Sequence, residues 1–186
     1  MGHLIQRRTP IEGLIIAATE PMRDERGCLA RLYCEQELRT VLNGKFIRQV
    51  NLSQTAALGT VRGMHLQAAP WAEVKLIRCL RGRVWDVAVD LRRGSPTFRR
   101  WHAQELNPDL WNMMIVPEGC AHGFQTLTPD CEMLYLHTQV HVPGAEQGLH
   151  PADPMLAINW PLPIRLLSPK DAGRAFMAPD FPGFDA

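Results

Sequence analysis

The stretch RGMHLQ, residues 62–67, sets His65 among apolar neighbours with Arg62 three positions before it. An imidazole there suits three tasks: general base, because its unperturbed pKa lies near neutrality, metal ligand, or satisfied core side chain. A divalent metal needs three or four converging imidazole and carboxylate donors. His65, Glu73 and His122 make only an incomplete set, because Gln67 stands where a second histidine would complete an HxH pair, and we expect no bound metal. Lys75, in EVKLIRCL, suits a buried strand only if its ammonium meets an anion; otherwise its stem snorkels at a strand end. Tyr135, in EMLYLHTQV, shares a strand face with Met133 and His137 and by itself reads as core or interface. Asp171, in SPKD, reads by itself as the acid of a helix capping box.

The elements that must carry these side chains are strands. GTVRGMHL (59–66), EVKLIRCL (73–80), RVWDVAVDL (83–91), FRRWHAQEL (98–106), NMMIVP (112–117), HGFQTLT (122–128) and EMLYLHTQV (132–140) are short, bounded by turn residues and spaced for a sandwich or barrel. Arg81-Gly82 predicts a tight turn that makes residues 73–91 a hairpin. In RVWDVAVDL, Trp85, Val87 and Val89 share one face, which leaves Asp86 and Asp90 with Val84 and Ala88 on the other, lined by polar partners or solvent. Helical signals are confined to CEQELRTVLNG (34–44), closed by Gly44, and SPKDAGRAF (168–176), with serine at the N-cap and proline in the first turn.

With 186 residues, 46% hydrophobic and 21% charged, the chain suits one domain spanning 1–186, with a loosely held proline-rich tail from about residue 179. A net charge of +1 gives no case for a nucleic-acid or anionic-membrane partner. Five cysteines without a CxxC pair point to a reducing cytoplasm. The N-terminus lacks the apolar stretch of a signal peptide, and no run approaches the roughly 18 apolar residues of a membrane span.

PEGCAH, residues 117–122, has the form PxGxxH and resembles the second half of the cupin signature. RGMHLQ, VKLIR, WDVAVDLRRGSPTF, VPEGCAHGF, MLYLHT, NWP and LSPKD, with DERG at 24–27, resemble in order the motifs of the dTDP-4-dehydrorhamnose 3,5-epimerases, from about residue 10 to 175. That resemblance implies an all-β fold, a cupin-like jelly-roll barrel with a few short helices. It also implies a cofactor-independent isomerase, inverting C3, C5 or both of a nucleotide-diphosphate 4-keto-6-deoxyhexose. His65 is then the base that removes the proton beside the ketone, Asp171 its carboxylate partner, Tyr135 the acid that returns a proton, and Lys75 the stabiliser of the enolate. Arg62 and Arg26 would hold the diphosphate, His122 would lie near the ketone, and Gln49 and Asn51 would lie on the substrate side. Asp86 would support the site through hydrogen bonds. The resemblance further implies a homodimer in which an N-terminal segment of one subunit completes the neighbour's site.

The chain departs from the family pattern where the base of the nucleotide is usually contacted. Cys28, Leu29, Ala30 and Arg31 replace aromatic residues and a glutamate, Val140 and His141 replace an aromatic pair, and Leu136 replaces a lysine. Loss of a stacking platform and reversal of a charge lead us to expect retained chemistry on an altered nucleotide or sugar. The competing expectations are a keto-sugar isomerase of the same fold and a non-catalytic cupin-like sugar-binding domain.

Overall fold

Period-two patterning becomes extended chain wherever it is marked. In the computed structural model, which describes residues 2–185, the chain runs through β1 (Leu4–Arg8), β2 (Ile15–Thr19), β3 (Met22–Asp24), β4 (Gly27–Leu29), α1 (Glu35–Leu38), β5 (Gln49–Thr55), β6 (Val61–Gln67) and β7 (Lys75–Arg81). It continues through β8 (Val84–Asp90), β9 (Trp101–Leu106), β10 (Asn112–Val116), β11 (Cys120–Thr126), β12 (Cys131–His137), β13 (Glu146–Gly148) and α2 (Pro169–Ala172).

A six-stranded sheet in the order β1-β2-β10-β7-β12-β5 faces a five-stranded sheet in the order β13-β6-β11-β8-β9, while β3 and β4 pair only with each other. Between the sheets lie Ile16, Ile77, Cys79, Met114, Val116 and Met133 from one and Val84, Ala88, Leu106, Cys120 and Phe124 from the other. This is a cupin-like jelly-roll barrel. The outer face of the five-stranded sheet, including Met64, Leu66, Val87 and Val89, is covered by Leu149, Leu156, Trp160, Met177, Phe181 and Phe184. The outer face of the six-stranded sheet packs under Leu38, Leu42 and Tyr33.

Four expectations need correction. Residues 73–91 are not a hairpin: β7 pairs with β10 and β12, β8 with β9 and β11, so the chain changes sheets at Gly82. Gly82 takes φ +77°, and a Cβ there would lie 2.7 Å from both Cys131 Sγ and Thr128 Oγ1, so the corner has no room for a side chain. The helix expected over 34–44 keeps helical form only through Leu38, where Thr40 and Val41, β-branched and poor in helices, follow. The second helix is likewise limited to Pro169–Ala172, as Gly173 ends it. The tail is tied down: Phe184 N–H donates to Leu91 O at 2.7 Å, Arg93 N–H donates to Phe184 O at 2.8 Å, and Arg99 Nη2 donates to Pro179 O at 3.0 Å. Apolar side chains in the tail, invisible as a pattern among prolines, supply the reason.

Candidate active site

A bulge places the two chemically distinctive side chains of RGMHLQ on one face. His122 pairs with His65 and Phe124 with Arg62, so three steps along β6 oppose two along β11. Strict alternation would send residues 62 and 65 to opposite faces; the extra residue returns both to the barrel interior. Gly63, at φ +134°, is that residue's enabling neighbour, for a Cβ would stand 2.5 Å from Gly123 Cα. Arg62 and His65 therefore line one cavity of about 930 Å³ with Asn51, Lys75, His122, Tyr135, His137 and Asp171.

His65 Nε2 lies 2.5 Å from Asp171 Oδ1, the carboxylate being buried and the imidazole 30% exposed toward the cavity. Burial alone would raise the Asp171 carboxyl, but the His65 hydrogen bond and charge, Gly63 N–H and Ser168 outweigh it and hold it below the ordinary carboxylate value. An ionised carboxylate only accepts, so Nε2 carries the proton and Nδ1 is left with a free lone pair, as a base requires. Of the capping box expected in SPKD only the serine half forms, because the Asp171 carboxylate turns to His65 and Gly63 N–H rather than back to Ser168 N–H. Ser168 Oγ accepts from Asp171 N–H at 3.0 Å, capping the turn, and this fixed turn aims the carboxylate at His65.

Tyr135 enters from the facing sheet, on β12, with its ring 6.0 Å from that of His122. Burial, then the Asp86 charge, pushes its phenol up, so it holds its proton at neutral pH. His122 Nε2 lies 2.7 Å from Asp86 Oδ1 in the barrel interior. Asp86 Oδ2 is buried with no hydrogen-bond partner among the described residues. Lys75, at the start of β7, reaches across the interior to donate from Nζ to His65 O at 3.2 Å.

The sequence profile of the dTDP-4-dehydrorhamnose 3,5-epimerases matches residues 8–178. The chain belongs to this family. It is 40% identical over 152 residues to the dTDP-4-dehydrorhamnose 3,5-epimerase of Sinorhizobium fredii, covering 81% of this chain and 78% of that one. Identity to the dTDP-4-dehydrorhamnose 3-epimerase of Streptomyces niveus is 36% over 170 residues, 90% of this chain and 81% of that one. Among solved structures, the dTDP-6-deoxy-D-glucose-3,5-epimerase of Legionella pneumophila, in complex with dTDP-4-keto-L-rhamnose, matches with a TM-score of 0.88 at 35% identity, over 94% of this chain and 93% of that one. These relatives are sugar epimerases, an isomerase class, and the fold and enzyme class expected from the motifs stand.

Of the residues that membership in this epimerase family nominates, His65, Asp171, Tyr135, Lys75, Arg62, His122 and Asn51 share the cavity wall. Gln49 stands behind it, donating to Asn51 Oδ1 at 3.2 Å, and Asp86 stands behind His122. Arg62 is held by Thr55 Oγ1 at 3.0 Å and Gln54 O at 3.2 Å. Arg26 is elsewhere: its side chain, 89% exposed on the β3–β4 turn, pairs with Asp24 at 2.5 Å.

His65, Glu73 and His122, the incomplete metal set, each turn to a different partner: Asp171, His137 and Asp86. Among the described residues no cluster of three or more His, Cys, Asp or Glu side chains is gathered as a metal would require. Gln67 is instead a buried tie, donating to Trp71 O at 3.1 Å and Val140 O at 3.2 Å and accepting from Val142 N–H at 2.6 Å. Glu73 turns to His137 Nδ1 at 2.8 Å and Lys75 Nζ at 3.4 Å. Sequence reasoning passed over His137 as a site residue, although its place two residues after Tyr135 was the available signal.

Proposed function

We propose that the chain inverts a carbon beside the ketone of a nucleotide-diphosphate 4-keto-6-deoxyhexose, at C3, C5 or both, without a cofactor. The observation that carries this reading is one cavity with a carboxylate-backed imidazole on one sheet, a protonated phenol on the facing sheet, and an ammonium beside the imidazole. His65 Nδ1 takes the α-proton, and the C–H electron pair passes into the enolate, whose oxygen meets the Lys75 ammonium. Tyr135 then protonates the same carbon from the other face, and solvent returns a proton to the phenolate and removes one from His65. A positioned base contributes roughly 10²–10⁴-fold and one enolate donor roughly 10²–10³-fold. Arg62 is the cavity's candidate for the diphosphate, a task suited to a guanidinium fork.

The experiment is turnover of dTDP-, UDP-, CDP- and GDP-linked 4-keto-6-deoxyhexoses in heavy water, with deuterium counted at C3 and C5. Incorporation at both carbons is a 3,5-epimerase, and incorporation at C3 alone is the activity named for the Streptomyces niveus relative. Label at neither carbon with any nucleotide, or label undiminished in His65→Asn, sinks the proposal. The changed residues at 28–31, 136, 140 and 141 favour a nucleotide or sugar different from the usual one, and clear preference for the dTDP-linked substrate would remove that part.

We further infer a cytoplasmic homodimer in which the β3–β4 ribbon carries Arg26 to the partner's cavity. The ribbon pairs with neither sheet of its own chain, and its Met22 and Leu29 are 52% and 57% exposed. The free state of every cysteine among the described residues suits a reducing compartment. Mixing Arg26→Ala with His65→Asn protein regenerates one intact site per heterodimer, and activity should return on mixing.

A further inference from the structure

Three imidazoles line the cavity, and each is backed by a carboxylate: His65 by Asp171, His122 by Asp86 and His137 by Glu73. The third pair differs in that its carboxylate is shared. Glu73 Oε2 lies 2.8 Å from His137 Nδ1, and Oε1 lies 3.4 Å from Lys75 Nζ. The register makes this sharing possible, because His137 and Lys75 are direct partners across the β12–β7 ladder, where facing side chains stand about 5 Å apart. Glu73, just before β7, is 8% exposed and closes the triangle from behind the cavity wall. The His137 ring also stacks on that of Tyr135, at 6.0 Å and 16° between planes.

We propose that Glu73 is a positioning residue for the reaction: one carboxylate oxygen is the counter-ion of the buried Lys75 ammonium, and the other fixes the His137 ring with Nε2 toward the cavity. The first half rests on the epimerase reading, in which Lys75 meets the enolate oxygen. A lysine whose side chain is 11% exposed loses most of its hydration, and without an adjacent anion it sheds its proton. A neutral amine would leave the enolate facing no charge. Burial does push Lys75 down, and the Glu73 charge and hydrogen bond oppose that fall. Glu73 itself would be raised by burial, but His137 and Lys75 together hold it below the ordinary carboxylate range, so it is ionised at neutral pH. The other ionisable groups around Lys75 include His65, His137 and Tyr135 in the same cavity and Glu146 in β13, whose carboxylate is already engaged by Lys170 at 2.7 Å and by Arg174.

The second half follows from donor chemistry. A carboxylate accepts, so Nδ1 of His137 carries the proton, and Nε2 becomes an acceptor that Asn51 Nδ2 approaches at 3.4 Å. Once a substrate hydroxyl displaces the long Asn51 contact, the wall presents an ammonium donor and an imidazole acceptor side by side. That pair matches a ketone oxygen and the hydroxyl on the neighbouring carbon, the grouping an α-hydroxy ketone offers.

The chain has only three lysines, Lys45, Lys75 and Lys170, so side-chain NMR of isotopically labelled lysine resolves Lys75 directly. In substrate-free wild-type protein the Glu73 carboxyl carbon should shift in step with Lys75 as pH rises, and in Glu73→Gln the Lys75 midpoint should fall. The alkaline limb of kcat/KM should move to lower pH by the same amount, with kcat at neutral pH reduced by less than the roughly 10²–10³-fold cost of losing an oxyanion donor outright. In a Lys75→Gln background, Glu73→Gln should cost little more. A Lys75 midpoint unchanged by Glu73→Gln, or a wild-type Glu73 resonance blind to Lys75, overturns the proposal; the wild-type titration needs no variant to fold. Because the two NMR titrations use no substrate, they stand apart from the heavy-water count that decides the epimerase reading.

Discussion

Asp86 and Asp90 lie four residues apart on the same inward face of β8, both at 0% exposure, and they are held in opposite ways. Asp90 accepts from Arg92 Nε at 2.9 Å, Arg92 Nη2 at 2.7 Å, Ser95 Oγ at 2.6 Å and Thr97 Oγ1 at 2.6 Å. Burial alone would raise its carboxyl, but these donors outweigh it and hold the group down at about 2. Asp86 has one partner, His122, and its second oxygen has none among the described residues, so burial pushes its carboxyl up. A carboxylate whose lone pairs are all claimed belongs to the framework. One left half-satisfied beside an imidazole at a cavity is the arrangement expected where the imidazole takes part in chemistry, and it is open to test.

The largest effect that tests this division is on stability. Asp90→Ala strips an ionised carboxylate from Arg92 and two hydroxyls, and breaking a buried pair on one side typically costs about 3–5 kcal/mol. Chemical denaturation at neutral pH should show that loss, while kcat measured well below the melting temperature stays near the wild-type value. The wild-type protein should show the same contribution through pH. Asp90's folded value is depressed from 3.8 to about 2, so its stabilisation of about 2–3 kcal/mol is complete above about pH 4 and is lost as pH falls toward about 2. Asp90→Ala should therefore have a flatter stability profile across that acid window, and a profile parallel to the wild type would take Asp90 out of the framework.

The same contrast explains what the sequence could and could not reveal. That Asp86 and Asp90 share a face with Val84 and Ala88 follows from alternation alone, and the structure keeps it. Asp90's partners lie within seven residues, inside the RRGSPT turn, whereas Asp86 meets His122 at a separation of 36 and Glu73 meets His137 at 64. Pairings of that reach depend on which strands become neighbours, and Arg81-Gly82 shows the difficulty: a turn signal does not say whether the next strand stays in the sheet. The edge strand β5 was missed for a related reason. QVNLSQT alternates only over Val50 and Leu52, which are both 56% exposed, and its inner face is polar and lines the cavity, so the run is too short and too polar to read as a core strand. Motif resemblance crossed this gap for His65, Asp171, Tyr135 and Lys75, but it offered nothing for His137 and Glu73, and it nominated Arg26, which its own chain leaves outside the cavity.

The smallest effect sharpens the comparison most. Asp86→Asn keeps an amide oxygen for His122 Nε2–H and removes a charge whose second oxygen had no donor. Because the folded carboxyl of Asp86 is raised above its unfolded value, the stability tied to its proton is present below the ordinary carboxylate value and is lost as pH rises through the raised one. The wild-type protein therefore loses that contribution as pH rises through the raised value and Asp86→Asn does not. Relative to the wild type, the variant's melting temperature should rise as pH rises from the ordinary carboxylate value upward. Its turnover should fall by less than the roughly 10²-fold at which general acid–base contributions begin, because His122 keeps its tautomer but loses the charge that steadies its protonated form. If Asp86→Asn instead unfolds as early as Asp90→Ala, both carboxylates of β8 belong to the framework, and His122 is a buried histidine held for packing rather than a participant at the cavity.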